Sequence, residues 1–336
     1  MKTLLFRADG KKSLGMGHII RCLGLADALR RERPELEIFF LTKYEEGKSV
    51  VEKNGYQTIL VAEDGFDEIK GLAQKDALLI TDFLDTDNSY ISKIKKETGL
   101  KIISIDNNTT LKEIDSDIVI NANVINEKET KVIDSTQYFL GINYMILRKE
   151  FEKERREKKI HDKVSSILVM SGGADDPGLT LTAVKALQDV SRDVQITVIL
   201  GPGFAYQDQL DDILSKSKRE FNVIQNPDNL VEIIKKTDMA VTAAGIAMWE
   251  FAALGVPSIV VPLAEHQADA AKAFENAGSV INIGYSHQNI TVIYEATIKL
   301  MRDKTLRKQL SKKGQQLVDG KGLERVVKII KQMIGT

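Results

Sequence analysis

The chain has 336 residues, of which 43% are hydrophobic and 28% charged, the composition of a globular protein with a sizeable core. Its 47 basic and 48 acidic residues leave a net charge of −1, which argues against a nucleic-acid partner. The single cysteine, Cys22, excludes an intrachain disulfide framework and is typical of a reducing compartment. Arg7 and Asp9 interrupt any apolar leader, and no run approaches the roughly 18 apolar residues of a membrane span. We therefore expect a cytoplasmic protein without a membrane partner.

Short β-branched runs alternate with segments of helical period along the first half. The helical segments lie at residues 17–32, 45–54 and 66–75. The predicted strands are TLLFR at 3–7, EIFFLT at 37–42, TILVA at 58–62, ALLIT at 77–81, KIISI at 101–105 and DIVIN at 117–121. Continuous apolar strands separated by helices indicate a parallel sheet covered on both faces. This pattern predicts a Rossmann-like domain over residues 1–147.

Residues 148–163 are dominated by charge, with eight Lys or Arg and five Asp or Glu in RKEFEKERREKKIHDK. We interpret them as a solvated linker or an exposed helix, and the alternative is a docking patch. A second series of strands follows at 165–170, 195–200, 221–225, 238–242, 258–262 and 279–283. The sequence therefore predicts two doubly wound α/β domains, the second over residues 164–336, facing a cleft that binds the ligand. The last helix is a candidate to pack back on the first domain.

A glycine-rich turn, SLGMGH, follows the first predicted strand and leads directly into a helix. Gly15 and Gly17 would let backbone N–H groups approach a phosphate at the positive end of that helix. His18 lies in the first helical turn, where the dipole favours the neutral imidazole that can act as a base. The alternative is an ordinary tight turn, with His18 in a capping or core role. The turn lacks the third glycine of the dinucleotide fingerprint, since position 20 is Ile20.

Two further motifs follow strands of the second half. In SGGADDPGLT, Gly172 and Gly173 would line the cleft, and Asp175 with Asp176 would cap the next helix, with metal binding or general-acid catalysis as the alternative. In TAAGIAMWEFAALGVPSIVVPLAEHQ, Gly245 precedes a helix whose N–H groups could hold an anion, and Glu250 could bind the diol of a ribose. Trp249 is expected to pack, whereas Glu265, His266 and Gln267 follow a buried strand and would face the cleft.

Several chemistries are not supported by the sequence. The four histidines, at positions 18, 161, 266 and 287, have no zinc-site spacing, and there are no paired cysteines. No P-loop lysine follows the glycines, and there is no G-x-S-x-G nucleophile elbow. We therefore predict neither a metal site nor a cofactor.

Taken together, these segments resemble the PseG/SpsG group of nucleotide-sugar hydrolases. The resemblance rests on FRADGKKSLGMGHIIRCLGLADAL, the strands that end at Asp82 and Asp106, GINYMILRKEF at 141–151, SGGADDPGLT and AAGIAMWEFAALGVPSIVVPLAEHQ, and it covers nearly the whole chain. The last segment is shared with GT-B glycosyltransferases such as MurG. Phe83 and Ile246 stand where the group commonly has Tyr and Ser or Thr, so the resemblance leaves the sugar open.

The resemblance implies a GT-B fold in which the second domain holds UDP and the sugar extends towards the first. It implies that His18 is the catalytic base and that no cofactor is needed. The residues assigned to substrate binding are Gly15, Gly17, Arg21, Asp82, Gly172, Gly173, Gly245, Glu250, His266 and Gln267. The implied partners are a UDP-sugar substrate and UDP product, in a monomer or weak homodimer.

The implied reaction is attack of water on the anomeric carbon of a UDP-linked amino or deoxy sugar, with inversion, as in pseudaminic acid or spore and surface polysaccharide biosynthesis. One alternative is a GT-B glycosyltransferase, in which His18 would deprotonate an acceptor hydroxyl. A second is a protein that binds a UDP-sugar without turnover. The presence of a histidine in the glycine loop favours an enzyme over the last.

Overall fold

A computed structural model describes residues 3–12, 15–73, 76–83, 87–106, 113–123, 130–175 and 177–335. The strands are β1 (Thr3–Ala8), β2 (Glu37–Thr42), β3 (Gln57–Leu60), β4 (Ala77–Asp82), β5 (Lys101–Ile105), β6 (Ile118–Asn121), β7 (Thr130–Ile133), β8 (Thr136–Leu140), β9 (Ser166–Met170), β10 (Gln195–Leu200), β11 (Asn222–Gln225), β12 (Met239–Ala243), β13 (Ser258–Val261) and β14 (Val280–Asn282). Every strand predicted from the sequence is present within a few residues of its predicted bounds.

The helices were predicted less completely than the strands. They are α1 (Gly17–Glu32), α2 (Glu45–Lys53), α3 (Phe66–Leu72), α4 (Asn88–Thr98), α5 (Lys149–Lys153), α6 (Leu179–Leu187), α7 (Gln207–Ser215), α8 (Leu230–Lys236), α9 (Ile246–Ala253), α10 (Glu265–Asn276), α11 (Ile290–Arg302), α12 (Lys304–Leu317) and α13 (Gly322–Ile334). A short 3₁₀ helix covers Ile142–Tyr144. Within the described ranges, none of these helices is long and apolar enough to cross a membrane.

The chain forms two compact units. Unit 1 comprises Met1–Lys149 and Gly320–Thr336, and unit 2 comprises Glu150–Asp319. In the described part of unit 1 the strands form an eight-stranded sheet in the order β3-β2-β1-β4-β5-β6-β8-β7. All neighbouring pairs are parallel except β7 with β8, which is antiparallel. The sequence analysis did not predict β7 and β8, because their polar and apolar residues are mixed.

The two faces of the unit 1 sheet bury separate cores, because successive strand side chains point to opposite faces. Leu4 and Phe6 of β1 pack with α1 and α13, whereas Leu5 packs with α3 and α4. Helix α13 therefore belongs to unit 1, although it is last in the chain. Its Gly322 lies so close to the backbone of Met145 that an added Cβ would be 2.0 Å from the Met145 carbonyl oxygen.

Unit 2 contains a six-stranded sheet among the described residues, in the order β11-β10-β9-β12-β13-β14. All its neighbouring strands are parallel. Counted from the first strand of the unit, the order is 3-2-1-4-5-6, which is that of a doubly wound sheet. Its core is formed by the apolar strands together with α6, α7 and α11.

The predicted linker, residues 148–163, packs along unit 2 after Lys149. Phe151 of α5 is fully buried. Glu154 forms an ion pair with Lys235 at 2.5 Å, and the buried Arg307 donates hydrogen bonds to the carbonyl oxygens of His161 and Asp162. The segment is therefore packed on unit 2, where Glu154 and Asp162 have ion-pair partners in Lys235 and Lys304.

Candidate active site

The predicted catalytic loop lies at the carboxyl edge of the unit 1 sheet. Strands β1 and β4 are direct neighbours, with Ala8 paired to Asp82. The chain order along the sheet reverses between these two strands, since β2 and β3 lie on one side and β5 and β6 on the other. Ligands of doubly wound sheets bind at such reversal points, beyond the carboxyl ends of the strands.

Helix α1 presents three polar side chains to the end of β4. His18, Arg21 and Cys22 lie at spacings of three and four residues, so they share one face of the helix. Asp82 is the last residue of β4 and is on the same sheet face as Leu78 and Ile80, which pack in the core with α1. The helical period and the strand register thus bring residues 60 positions apart into contact.

Asp82 is the centre of this cluster, and its carboxylate is fully buried. His18 Nδ1 lies 2.7 Å from Asp82 Oδ1. Arg21 donates two hydrogen bonds to the same carboxylate, from Nε to Oδ2 and from Nη2 to Oδ1. The Cys22 thiol donates to Oδ2 at 3.5 Å. Arg21 Nη2 and His18 Nδ1 are 3.2 Å apart because both approach Oδ1.

The cluster keeps its charges in defined states. Burial alone would raise the pKa of Asp82, but the charges of Arg21 and His18 and their hydrogen bonds outweigh burial, so this pKa lies well below its usual range. Burial and the neighbouring Asp82 raise the pKa of the Cys22 thiol. Asp82 is therefore an ionised acceptor and Cys22 a neutral donor.

This arrangement selects one state of the His18 ring. An ionised carboxylate can only accept hydrogen bonds, so Nδ1 must carry the proton that Asp82 binds. In the neutral ring, Nε2 is then left with its lone pair. The His18 side chain is 17% exposed, whereas Asp82 is not exposed at all. The buried Asp82 carboxylate therefore fixes the His18 ring through Nδ1, while the His18 side chain remains partly exposed to solvent.

The assignment of Asp82 to direct substrate binding requires a correction. A carboxylate with no exposed surface and hydrogen bonds from three side chains cannot contact a substrate. The Arg21 side chain is 12% exposed and directs its guanidinium to the same carboxylate. Because part of the Arg21 side chain is exposed, its assignment to substrate binding stays a prediction.

The start of α1 offers backbone donors beside this cluster. The residue before the helix, Met16, provides no side-chain cap, and the first turn contains no acidic residue. Gly17 is the first helical residue. Gly15 has a positive φ of 83°, and no atom of the described residues lies within 4 Å of a Cβ added to it. No side chain is recorded as capping this turn within the described part of the chain, so its N–H groups can bind a ligand or solvent. Ser13 and Leu14, which begin the predicted motif, lie outside the described residues.

The loop after β1 is supported by groups that the sequence analysis did not single out. Asp9 Oδ1 accepts hydrogen bonds from Arg7 Nη1 at 2.6 Å and from the backbone N–H of Lys43 at 2.8 Å. Gly47 of α2 packs against this loop, because an added Cβ would lie 2.9 Å from the Gly10 carbonyl oxygen. The Arg7-x-Asp9 pair was visible in the sequence, whereas the Gly47 contact depends on the fold.

The predicted glycines of unit 2 lie at the corresponding reversal point of their own sheet. Gly172 and Gly173 follow β9, Gly245 follows β12, and these strands are neighbours. Gly245 precedes α9 without a side-chain cap, and no atom that the structure describes lies within 4 Å of a Cβ added to it. The sequence analysis did not single out Gly201, although the packing of this loop requires a glycine at that position. An added Cβ at Gly201 would be 2.3 Å from the carbonyl oxygens of Gly172 and Gly173.

Other predictions for unit 2 have mixed outcomes. The capping role of Asp175 is confirmed, because its carboxylate accepts hydrogen bonds from the N–H groups of Leu179 and Thr180 at 2.9 and 2.8 Å. Asp176 lies outside the described residues. Trp249 packs as predicted, since it is 2% exposed and makes an edge contact with the ring of Phe274.

The remaining predicted contacts are less open than the glycines. Glu250 lies in α9 and is only 7% exposed, so its contact with a ribose stays a prediction. Gln267 Oε1 accepts a hydrogen bond from the Leu263 N–H at 3.0 Å, which ties this side chain to the loop after β13. His266 is in the first turn of α10, and its side chain lies outside the described part of the structure. Within the described ranges, no group of three or more His, Cys, Asp or Glu could hold a metal ion.

Comparison with known proteins identifies a protein family that this chain matches. Residues 136–332 match the glycosyltransferase family 28 C-terminal domain. The chain is 34% identical over 263 residues to the uncharacterized protein MJ1062 of Methanocaldococcus jannaschii, which covers 75% of this chain but only 54% of that protein. It is 29% identical to the spore coat polysaccharide biosynthesis protein SpsG of Bacillus subtilis over 97% of both chains.

A third relative is named as a hydrolase. The UDP-2,4-diacetamido-2,4,6-trideoxy-beta-L-altropyranose hydrolase of Campylobacter jejuni is 28% identical over 189 residues, which are 55% of this chain and 65% of that protein. The chain thus spans about half of its archaeal relative, about two thirds of the hydrolase and nearly all of SpsG.

Solved structures agree on the fold. MurG of Acinetobacter baumannii superposes with a TM-score of 0.69 at 15% identity, covering 98% of this chain and 99% of that one. The UDP complex of S. aureus MnaA superposes with a TM-score of 0.64 at 15% identity, covering 99% and 97%. At these identities the likeness concerns architecture alone. With two parallel-sheet α/β domains in a GT-B fold and a family match over more than half its length, the chain belongs to the glycosyltransferase family 28 C-terminal domain family.

Proposed function

We propose that the protein hydrolyses a UDP-sugar at the anomeric C–O bond, giving UDP and the free sugar. The observation that carries this proposal is the His18–Asp82 contact at the carboxyl edge of unit 1, which leaves Nε2 of a partly exposed imidazole as a proton acceptor. The similarity to SpsG along nearly the whole chain and to a named UDP-sugar hydrolase supports the substrate class.

In the proposed reaction, water is the nucleophile. As the water oxygen forms a bond to the anomeric carbon, its proton passes to His18 Nε2, and the bond from that carbon to the diphosphate oxygen breaks with inversion. UDP leaves as an anion and needs no proton from the protein. A positioned base of this kind typically contributes about 10²- to 10⁴-fold to the rate.

Asp82 and Arg21 have positioning roles in this proposal. Asp82 fixes the ring through Nδ1 and stabilises the imidazolium that forms when Nε2 takes up the proton. Arg21 holds both oxygens of the carboxylate, so the carboxylate cannot rotate away from the ring. The guanidinium also offsets the cost of burying the Asp82 charge.

Backbone groups carry the proposed diphosphate binding. In unit 2, the start of α9 at Gly245 and the loop at Gly172 offer backbone N–H donors, and no described atom lies within 4 Å of a Cβ added to either glycine. In unit 1, the start of α1 at Gly17 offers a similar set beside His18. Donors of this kind balance the negative charge that develops on a departing diphosphate.

A glycosyltransferase is the second candidate function, and the family match and the MurG-like fold favour it. The same Nε2 would then deprotonate an acceptor hydroxyl instead of water. A protein that binds a UDP-sugar without turnover is the third candidate, and the partly exposed imidazole of His18 beside Asp82 disfavours it.

One experiment separates these three candidates. The protein is incubated with a panel of UDP-sugars in ¹⁸O-labelled water without an acceptor. We expect release of UDP and label in the free sugar. Label in UDP would instead mean attack at phosphorus, UDP release only after addition of an acceptor would mean a transferase, and binding without release would mean a non-catalytic protein.

A further inference from the structure

Unit 2 contains a polar cavity whose lining does not include the glycine loops after β9 and β12. It has a volume of about 820 Å³ and is formed by two segments that are far apart in sequence. The lining residues are Arg155, Glu157, Lys158, Lys159 and Ile160 of the connecting segment, and Lys308, Ser311, Lys312, Gln315 and Gln316 of α12. The proposed hydrolysis uses none of these residues.

The charge of this cavity is strongly one-sided. Its lining carries five basic side chains and one acidic side chain, in a chain whose net charge is −1. Helix α12, with the sequence KTLRKQLSKKGQQL, has no acidic residue that could offset its lysines. Lys308 and Lys312 are four residues apart on that helix, a spacing at which like charges repel. The fold therefore maintains an unfavourable concentration of positive charge that a bound anion would relieve.

The connecting segment is held in place beside α12. Arg155 Nη2 donates to the Gln315 carbonyl oxygen at 2.5 Å, and Gln315 Nε2 donates to the Arg156 carbonyl oxygen at 2.7 Å. Lys158 Nζ donates to the carbonyl oxygen of Lys235. These hydrogen bonds fix the wall of the cavity and do not involve the exposed Lys159, Lys308 and Lys312.

Three of the lining cations are available to a ligand. Lys159, Lys308 and Lys312 are exposed, and none of them has an ion-pair or hydrogen-bond partner among the residues that the structure describes. One acidic side chain, Glu157, lines the cavity, and Asp162 is bound by Lys304 and also feels the charge of Lys308. The free ammonium groups thus come from both walls of the cavity.

We propose that this cavity binds a small, multiply charged phosphate anion of the diphosphate or triphosphate class. Ammonium groups on flexible stems bind phosphate oxygens as point charges, and several of them converge here on a concave space of ligand size. A single phosphate would leave part of this charge uncompensated. The chain's overall charge gives no support for a long polyanion such as nucleic acid.

Calorimetric titration of the full chain with sodium tripolyphosphate tests this site. The titration contains no UDP, because UDP is itself a diphosphate and would compete for the cavity. Binding at the cavity is recognised by its dependence on the cavity lysines. We expect one saturable site whose affinity falls as salt is raised. The double variant Lys308→Gln/Lys312→Gln should weaken binding by about tenfold or more, because each removes a charge-assisted contact.

The matched control is the double variant Lys96→Gln/Lys328→Gln, which removes two charges from exposed helical positions of unit 1. It should bind tripolyphosphate like the unaltered chain. Equal loss in both double variants, or no saturable binding, would overturn the proposal. Binding of phosphatidylserine vesicles that depends on Lys308 and Lys312, without binding of tripolyphosphate, would overturn it in favour of a membrane surface.

This test is independent of the proposed hydrolysis. The lysines lie outside the His18 cluster and the glycine loops, so their substitution should leave acceptor-free UDP release unchanged at low salt. Loss of tripolyphosphate binding with intact turnover would support the second site alone. Absence of turnover in every chain, with lysine-dependent tripolyphosphate binding, would contradict only the hydrolase proposal.

Discussion

Two histidine–aspartate pairs in the chain have nearly the same contact but different surroundings. His18 Nδ1 lies 2.7 Å from Asp82 in unit 1, and His161 Nδ1 lies 2.8 Å from Asp238 in unit 2. Asp82 ends a strand, whereas Asp238 precedes one, so the first pair is at the carboxyl edge of its sheet and the second at the amino edge. Ligands of such sheets bind at the carboxyl edge.

The two carboxylates also have different hydrogen-bond partners. The Asp82 carboxylate also binds the guanidinium of Arg21, and the side chain of His18 is 17% exposed. Asp238 accepts hydrogen bonds from the backbone N–H groups of Ser165 and Ser166, and its ring partner is 52% exposed. The second pair therefore joins the starts of two strands. The position of the His18–Asp82 pair at the carboxyl edge of its sheet, and not the contact itself, therefore makes it the candidate for catalysis.

The largest expected effect comes from replacing the two histidines in turn. His18→Gln should lower kcat by about 10²- to 10⁴-fold, because it removes the base, while UDP binding stays unchanged. His161→Gln should leave kcat unchanged. Turnover is measured as acceptor-free UDP release, and UDP binding by calorimetry. Retained turnover in His18→Gln would remove this residue from the base role.

Replacing the two aspartates should give a smaller effect on turnover. Asp82→Asn should lower kcat by about 10- to 100-fold, since it releases the ring from its partner. It should also lower the free energy of unfolding by about 3–5 kcal/mol, because Arg21 is left buried without its counter-charge. Asp238→Asn should reduce stability without reducing kcat. Equal losses of kcat in both variants would mean that folding, not the site, explains the effect.

The carboxyl edge of unit 2 can be tested through a glycine. Gly245→Val should weaken UDP binding by about tenfold, because the side chain would shield the N–H groups at the start of α9. Gly245→Ala should have a smaller effect. Space around this residue is open and its φ of −92° suits any residue, so unfolding by urea should change by less than about 0.5 kcal/mol. Unchanged UDP affinity in both variants would exclude this glycine from the nucleotide site.

The smallest expected effect concerns acid stability. The pKa of Asp82 is lower in the folded protein than in the unfolded chain, where it is about 3.9, so its stabilisation is complete above that value and is lost as pH falls through the folded pKa. The difference in unfolding free energy between the unaltered chain and Asp82→Asn should not shrink between about pH 7 and 5 and should shrink only below about pH 4. A difference that shrinks near pH 6 would contradict the buried ion pair.

The strands and the catalytic helix could be predicted because their signals are local. Uninterrupted apolar runs mark the strands, and the turn at Gly15 and Gly17 marks the start of α1, which begins at Gly17 as predicted. The strands β7 and β8 were missed, because they are short and carry polar residues, unlike the continuous apolar runs of the other strands.

The roles within the cluster could not be derived in the same way. The contact of Arg21 and His18 with Asp82 depends on the order of β1 and β4 in the sheet, which sequence periodicity does not specify. Asp82 was therefore assigned to the substrate although it is fully buried, and the contact of Arg21 with Asp82 was not foreseen. Gly201 was overlooked because its close approach to Gly172 and Gly173 exists only in the folded unit.

The protonation of the His18 ring tests the central claim most directly. Nitrogen NMR of the histidine side chains, recorded at a pH where the ring is neutral, distinguishes a proton on Nδ1 from one on Nε2. We predict a proton on Nδ1 and an unprotonated Nε2, and a loss of this preference in Asp82→Asn. A proton on Nε2 in the unaltered chain would contradict the account, because the ring could not then accept a proton from water.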